Sequence, residues 1–292
     1  MKSKIWILFL TGLAACSGEN GKSDAYGNFQ SDEIIVSAQA TGEIISMKVD
    51  EGQVLDPAQV VGLIDTTSLH LQKKQLNSKK KAIASKTANI HANIEVQQQQ
   101  LQNLQKDLQR IQNLYENGAA TEKQLTDIRG AVDLVKKQIR ATRTQLDGIG
   151  DEISALNDQI ALVNEKINKS FIRNPVKGTV LTKYADKGEF AAMGKPLFKI
   201  ANLETLDLKS YISGDQLDDI KLGQEVNVLI DKNKKEYSSM KGTISWIASS
   251  AEFTPKTIQT KKERVNLVYA VKVRVENDGS LKIGMPGEIN FN

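Results

Sequence analysis

Two long runs of apolar residues with coiled-coil spacing constrain this sequence more than any other feature. In the second run, apolar residues recur in steps of three and four over about six heptads, with Thr142 in one of the positions. The apolar members are Leu125, Ile128, Val132, Val135, Ile139, Leu146, Ile149, Ile153, Leu156, Ile160, Val163 and Ile167. This line of residues, the seam, predicts one long helix that packs along another.

The first run keeps the same spacing with more polar positions. Asn117 and Gly118 favour the end of one helix, and Thr121 is a good N-cap for the next. A connection this short predicts an antiparallel helical hairpin over 66–170, with arms of about 50 residues that reach about 75 Å. The seam of the first arm contains Leu69, Lys73, Leu76, Lys80, Ile83, Thr87, Ile90, Ile94, Gln97, Leu101, Leu104, Leu108, Ile111 and Tyr115.

The two flanks of the hairpin repeat each other at a constant offset in the sequence. Each flank alternates apolar and polar residues over short runs broken by Gly, as short strands do. A flank of about 30 residues cannot bury a core alone, so 34–65 and 171–202 are predicted to form one β-sandwich. The matching segments are 42–44 with 178–180, 51–54 with 187–190, and Val61 and Ile64 with Leu197 and Ile200.

The repeat and its long helical insertion resemble the split lipoyl domain of the HlyD-like membrane fusion proteins, the periplasmic adaptors of efflux and secretion systems. The resemblance is carried by Gly42, Ile44, the run 49–54, the run 63–65 and the run 172–180. It implies an elongated α+β chain, in which the hairpin is inserted in a split lipoyl-like β-sandwich and followed by a small β-barrel. Ala58 departs from the family's Gly, which Gly194 keeps, and we expect little effect.

The sequence after Leu203 changes to short strands, predicted at 206–213, 225–230, 241–248, 268–275 and 288–291, with one short helix at 215–222. This pattern favours a β-barrel domain over 203–292, and a strand at 34–37 is expected beside it. The run 253–269 resembles adaptors that work with ABC-type transporters.

The turn of the hairpin carries the candidate partner-binding residues. In the family, an Arg, a Leu and a Ser at fixed spacing contact an outer-membrane duct of the TolC class. Arg110, Leu114 and Thr121 have that spacing, and Gly118 lies at the turn. Without the family resemblance, the residues alone predict that Leu114 is an edge of the seam, Thr121 is a helix cap and Arg110 is a solvated cation.

The N-terminus resembles a lipoprotein signal peptide over 1–15, followed by a tether over 16–33. Lys2 and Lys4 precede an apolar run, and Leu13-Ala14-Ala15 precedes Cys16, the only cysteine in the chain. Lipidation of Cys16, with palmitate among the attached chains, predicts a protein held on the periplasmic side of a membrane. The inner membrane is favoured over the outer, and the alternative is a thiol discarded with the signal.

The composition excludes several other functions. One Cys and two distant His residues, His70 and His91, provide neither a metal site nor a nucleophile beside a base, so no enzyme, metal or cofactor is expected. A net charge of +4 gives no reason to expect nucleic acid. The lysine-rich stretch 73–86 indicates a solvated face, or a contact with anionic lipid or an acidic neighbour.

The resemblance implies a homo-hexameric adaptor between an inner-membrane transporter, of the ABC rather than the resistance-nodulation-division type, and a TolC-class outer-membrane protein. Two alternatives stay open. A structural lipoprotein that tethers the envelope would share the anchor and the coiled coil, but it leaves the split repeat and barrel unexplained. A lipoyl or biotin carrier needs a lysine in a tight turn, where this chain has the helical insertion instead.

Overall fold

The computed structural model describes residues 23–231, 237–253 and 267–291. The described residues divide into two compact units, one formed by 23–34 together with the described residues from 201 onward, the other by 35–200. The described helices are α1 (Thr67–Glu116) and α2 (Glu122–Ser170). The described strands are β1 (Ala25–Gln30), β2 (Glu33–Ser37), β3 (Gly42–Met47), β4 (Val54–Leu55), β5 (Val60–Ile64), β6 (Phe171–Arg173), β7 (Gly178–Lys183), β8 (Phe190–Ala191), β9 (Pro196–Ala201), β10 (Thr205–Ser213), β11 (Glu225–Asp231), β12 (Tyr237–Ile247), β13 (Glu252–Phe253), β14 (Leu267–Glu276) and β15 (Pro286–Asn290).

The two helices form the hairpin and bury little of their surface. Of the 50 residues of α1 only Ile83 and Ile94 are buried, while α2 buries eight of its 49, nearly all of them predicted seam positions. The two polar seam residues, Gln97 and Thr142, meet across the hairpin with 3.1 Å between the Thr142 Oγ and the Gln97 Oε1. This contact marks which residues of the two antiparallel helices lie opposite each other.

The flanks of the hairpin build a sandwich of two four-stranded sheets, in the orders β2-β9-β7-β4 and β6-β5-β3-β8. Each sheet takes its two central strands from one flank and its edge strands from the other. Short strands of one flank also bridge to the other, since Val54 of β4 pairs with Thr179 and Phe190 of β8 pairs with Glu43. Neither flank can therefore complete a sheet without the other.

The repeat relates the backbone hydrogen bonds of the two flanks as well as their sequences. Gly52 N–H donates to Val180 O, and its counterpart Gly188 N–H donates to Ile44 O, each at 2.8 Å. The shared core is apolar, and Ile44, Leu55, Ile64, Leu197, Phe198 and Ile200 are fully buried in it. The structure thus confirms the predicted class, an α+β chain with a helical hairpin inserted in a split sandwich.

The unit that contains β1 and the strands from β10 onward forms a closed six-stranded barrel. Its strands follow the order β10-β1-β15-β11-β12-β14, β14 pairs again with β10, and β13 is added beside β14. A 3₁₀ helix at Gly214–Asp219 takes the place of the predicted helix at 215–222. The interior is filled by apolar side chains of alternating strand residues, among them Leu206, Leu208 and Ile212 of β10.

Two predictions for the N-terminal segment are wrong. Part of the tether expected over 16–33 is instead a barrel strand, from Ala25 to Gln30, paired with β10 on one side and β15 on the other. The strand expected beside the barrel at 34–37 belongs instead to the sandwich, where β2 pairs with β9 and Val36 is buried in the core. Within β1, only Ala25 and Phe29 are fully buried, because Gly27 leaves the inward position between them without a side chain.

Cys16 and the predicted signal peptide lie outside the described residues, as does most of the run 253–269. Neither of the two long described helices is apolar enough to span a membrane.

Candidate functional site

The hairpin turn is a tight loop stabilised by hydrogen bonds that cap the C-terminal end of α1. Gly118 has φ +72°, and a side chain added there would meet nothing within 4 Å, so it lies in open space in the left-handed region that glycine adopts most easily. Its N–H donates to Tyr115 O at 3.0 Å, and Ala119 N–H donates to Leu114 O at 2.8 Å. The side chain of Asn117 donates to Asn113 O at 2.7 Å. These bonds satisfy carbonyls at the end of α1 that have no partner within the helix.

Thr121 begins α2 with a capping box. Its hydroxyl accepts from the Gln124 N–H at 3.3 Å, while the Gln124 side-chain oxygen accepts from the Thr121 N–H at 2.8 Å. The hydroxyl also donates to that same side-chain oxygen at 3.1 Å. The Thr121 hydroxyl is therefore held by its own helix end, and what it offers a partner is one free lone pair and a methyl group.

Arg110 lies two turns below the loop on the surface of α1. Its side chain is 69% exposed and forms an ion pair with Asp107, one turn earlier. An exposed pair of this kind contributes little stability, because water solvates both charges well. The remaining donors of the guanidinium are open to solvent, so a partner with carboxylate or carbonyl oxygens can replace Asp107 without a large desolvation cost.

Apolar side chains accompany the arginine. Leu114 is one turn above Arg110 on the same side of α1, and it is 41% exposed, as is its neighbour Tyr115. Tyr115 was predicted as a seam residue, yet the helices end there and α2 provides little to cover it. Exposed apolar and aromatic groups beside a cation are typical of protein contact sites.

The predicted residues thus lie on the last turns of one hairpin end, with Arg110 and Leu114 presented to solvent and Gly118 and Thr121 shaping the loop between the helices. Asp107 and Tyr115 belong to this site and were not predicted for it. The signal for Asp107 was a carboxylate three residues before the arginine, where helix geometry brings the two side chains together. Among described residues, no group of three His, Cys, Asp or Glu side chains could hold a metal ion.

The barrel offers a second exposed apolar residue at a turn. Leu222 is 69% exposed, and the adjacent turn is held by Gly223, with φ +82°, and by a 2.9 Å bond from the Lys221 N–H to the Gln224 side chain. Its exposure leaves the Leu222 side chain available for contact with a partner.

Residues 202–290 match the family described as LcnD-like, C-terminal domain. Among curated proteins, the chain is 25% identical to a UPF0194 membrane protein of Yersinia pseudotuberculosis, over 91% of this chain and 88% of that protein. It is 23% identical to a UPF0194 membrane protein of Citrobacter koseri, over 91% and 87%.

Among solved structures, the crystal structure of MacA from Actinobacillus actinomycetemcomitans is similar, with a TM-score of 0.59 and 21% sequence identity over 91% of this chain and 76% of that one. Residues 202–290 are therefore similar to the LcnD-like C-terminal domain, and the chain shares the fold of MacA, as its sequence motifs predicted.

Proposed function

We propose that the chain is a periplasmic adaptor that connects an inner-membrane transporter to an outer-membrane duct of the TolC class, for efflux or secretion. It acts by assembly and not by catalysis. The observation that carries the proposal is the hairpin end, where Arg110 and Leu114 are exposed on a two-helix arm whose helices are 50 and 49 residues long. At ~1.5 Å per residue the arm reaches ~75 Å.

The second partner is proposed to be an ABC-type transporter, on the resemblance of the run 253–269 to adaptors of that kind. The exposed Leu222 turn is the surface of the barrel that we propose for this contact. The adaptor is proposed to work as a homo-hexamer, in which neighbouring hairpins lie side by side and form a sheath. Ring closure would cover apolar residues that single copies leave exposed, such as Leu71 and Leu162.

Cys16 is proposed as the lipid attachment site, which holds the protein on the periplasmic face of the inner membrane. Cys16→Ala is expected to release the protein into the soluble periplasmic fraction. The measurement is detergent-phase partitioning of cell fractions, and persistent membrane association of the variant would contradict the anchor.

The test of the proposed function is export in cells that carry Arg110→Asp. Reversing this charge places a carboxylate beside Asp107 at the contact surface, so export is expected to fall to the level of cells without the protein. Arg143→Asp is the matched control, because Arg143 is also exposed on the hairpin but lies in the middle of α2. Unchanged hairpin helicity by circular dichroism shows that both variants fold. Normal export by folded Arg110→Asp would contradict the assignment of the hairpin end.

A further inference from the structure

The half of the hairpin nearest the sandwich has an uneven distribution of charge. From Thr67 to Ile94, α1 contains six lysines and no carboxylate. Lys73 and Lys80 are half-buried in the seam, whereas Lys74 and Lys81 are exposed on the outer side of α1, together with Leu71. Among the described residues, none of the six lysines is held in an ion pair. We call Lys74, Lys81 and Leu71 the basic face.

The same half of α2 carries the opposite charge on its outer side. Asp151, Asp158 and Glu165 follow one another at intervals of seven residues, which is close to two helical turns, so they form one line along the helix. All three are exposed, and the seam residues Leu156 and Val163 are buried on the other side of α2. This acidic row therefore points away from α1.

The two faces match in height along the hairpin. Counted from the contact between Gln97 and Thr142, Lys81 lies as far down α1 as Asp158 lies along α2. Lys74 and Glu165 are likewise equally far from that contact, each about two helical turns further on. Within one copy, these residues cannot pair, because they lie on the outward sides of the two helices.

We propose that the basic face of one copy contacts the acidic row of the next copy, so that Lys81 meets Asp158 and Lys74 meets Glu165 between subunits. This inference rests on the proposed ring of adaptors. A rotation about the ring axis leaves every residue at its own height, so pairs that match in height within one copy also match between neighbours whose hairpins run along that axis. Charge complementarity selects a second copy of this chain as the occupant.

Local contacts permit this exchange of partners. Glu165 has an ion pair with Lys169 one turn later, at 3.5 Å, and both side chains are at least half exposed. Such a pair is weak and readily replaced. Leu162 lies between Asp158 and Glu165 on the outer side of α2 and is 63% exposed, as Leu71 is beside Lys74. The facing surfaces therefore offer apolar area as well as charge, and the charges set which heights meet.

The first experiment crosslinks the two faces in cells that express the full chain. A variant with Lys81→Cys and Asp158→Cys is expected to form covalent oligomers on oxidation, detected by non-reducing electrophoresis. The matched control combines Lys106→Cys with Asp158→Cys. Lys106 is also exposed on the outer side of α1 but lies about 38 Å higher, at ~1.5 Å per residue. The control should therefore form no more covalent oligomer than the chain whose only cysteine is Cys16. Equal crosslinking of the two variants would overturn the proposal.

The second experiment exchanges the charges. Lys81→Glu alone should weaken self-association about three- to tenfold per contact, measured by sedimentation at low salt, because the glutamate faces Asp158 of the next copy. Adding Asp158→Lys should restore association, and Lys106→Glu should leave it unchanged. A double variant that stays as weak as the single variant would overturn the pairing.

An anionic membrane surface is the competing partner for the lysines. The probe is a vesicle that contains phosphatidylglycerol. If Lys74→Glu with Lys81→Glu abolishes vesicle binding and leaves self-association intact, the proposal is wrong and lipid is the partner. If the charge exchange fails in a chain that still needs Arg110 for export, only this contact between copies is contradicted. If export is insensitive to Arg110→Asp, the proposed adaptor function itself is contradicted.

Discussion

The hairpin and the β domains of this chain differ in how many of their residues they bury. The sandwich and the barrel bury compact apolar cores, with side chains such as Phe198 and Leu208 completely shielded from water. The hairpin, with 99 helical residues, buries only ten of them. A structure that is mostly surface gains little from its own packing, so its sequence is better explained by what it contacts. The β domains provide the stability, whereas the hairpin provides reach, and its exposed end is the surface that we propose for partner contact.

The largest expected effect is in the sandwich core. Phe198→Ala should lower the free energy of unfolding of the sandwich by about 3–5 kcal/mol, because the removed ring leaves a cavity in a fully buried site. Leu162→Ala, which shortens a 63% exposed side chain on the hairpin, should change the stability of a single copy by less than about 0.5 kcal/mol. Hydrogen exchange during urea titration measures both regions. Similar losses in the two variants would contradict the contrast between the regions.

A smaller effect tests the two flanks of the sandwich against each other. Ala58 has φ +61° and Gly194, its counterpart in the repeat, has φ +86°. Since a side chain is strained in this region, Gly194→Ala should cost about 1 kcal/mol. Ala58→Gly should gain somewhat less, because glycine also loses more chain entropy on folding.

Thermal unfolding of the paired variants measures this difference. Gly148→Ala is the control, since Gly148 lies within α2 with open space around it, and alanine there should stabilise the helix by roughly 0.5–1 kcal/mol. A stabilising Gly194→Ala would show that the turn tolerates a side chain in both flanks.

Within the hairpin, the polar contact in the seam should be worth little. The Thr142 hydroxyl has one proton, which it can donate either to Gln97 at 3.1 Å or to Gln138 O in its own helix at 3.0 Å. Replacing both partners with leucine, as Gln97→Leu and Thr142→Leu, should therefore raise hairpin stability by about 1 kcal/mol. Circular dichroism at 222 nm during urea titration checks this, and a less stable double variant would show that the polar pair stabilises the seam.

The smallest effect concerns acid. Asp65 accepts hydrogen bonds from the Thr67 hydroxyl at 2.6 Å and from the Thr67 N–H at 2.8 Å, at the start of α1. The Thr67 hydroxyl and then its N–H lower the pKa of Asp65 below the usual 3.8. A carboxyl whose pKa is lowered by folding stabilises the fold above its unfolded-state pKa. This stabilisation is lost as the pH falls from about that value through the lower folded-state pKa.

The protection of amides in the first turn of α1, measured as the exchange rate relative to that of an unfolded chain, should therefore fall slightly below pH 3.8, the usual pKa. Asp65→Asn removes the titrating group, so the same amides should show no such step. A step that persists in Asp65→Asn would assign the acid response to another group.

The sequence was informative wherever periodicity was strong. The seams predicted the helices because long, regular runs leave few alternative structures, and the repeat predicted a shared sandwich because neither flank can bury a core alone. Even Ala58 could be recognised as unusual, since its partner in the repeat is Gly194. The capping box at Thr121 was visible as a threonine at the start of an apolar run.

The predictions that failed or were incomplete have separate physical causes. Strand β1 shows no alternation of apolar residues, because Gly27 approaches β10 so closely that a side chain there would lie 2.0 Å from Lys209 O. Its Gly-containing polar sequence therefore looked like a tether. The hairpin end was predicted in position, but the exposure of Tyr115 and the pairing of Arg110 with Asp107 depend on where α2 begins, which periodicity alone does not fix.

The most direct test of the adaptor function is photocrosslinking in living cells from two positions of the full chain. A photoreactive residue at Leu114, at the hairpin end, should capture a TolC-class outer-membrane duct. The same residue at Leu222, on the barrel, should capture an inner-membrane transporter. Capture of proteins from one membrane only, or of the same protein from both positions, would contradict the proposal that this chain connects the two membranes.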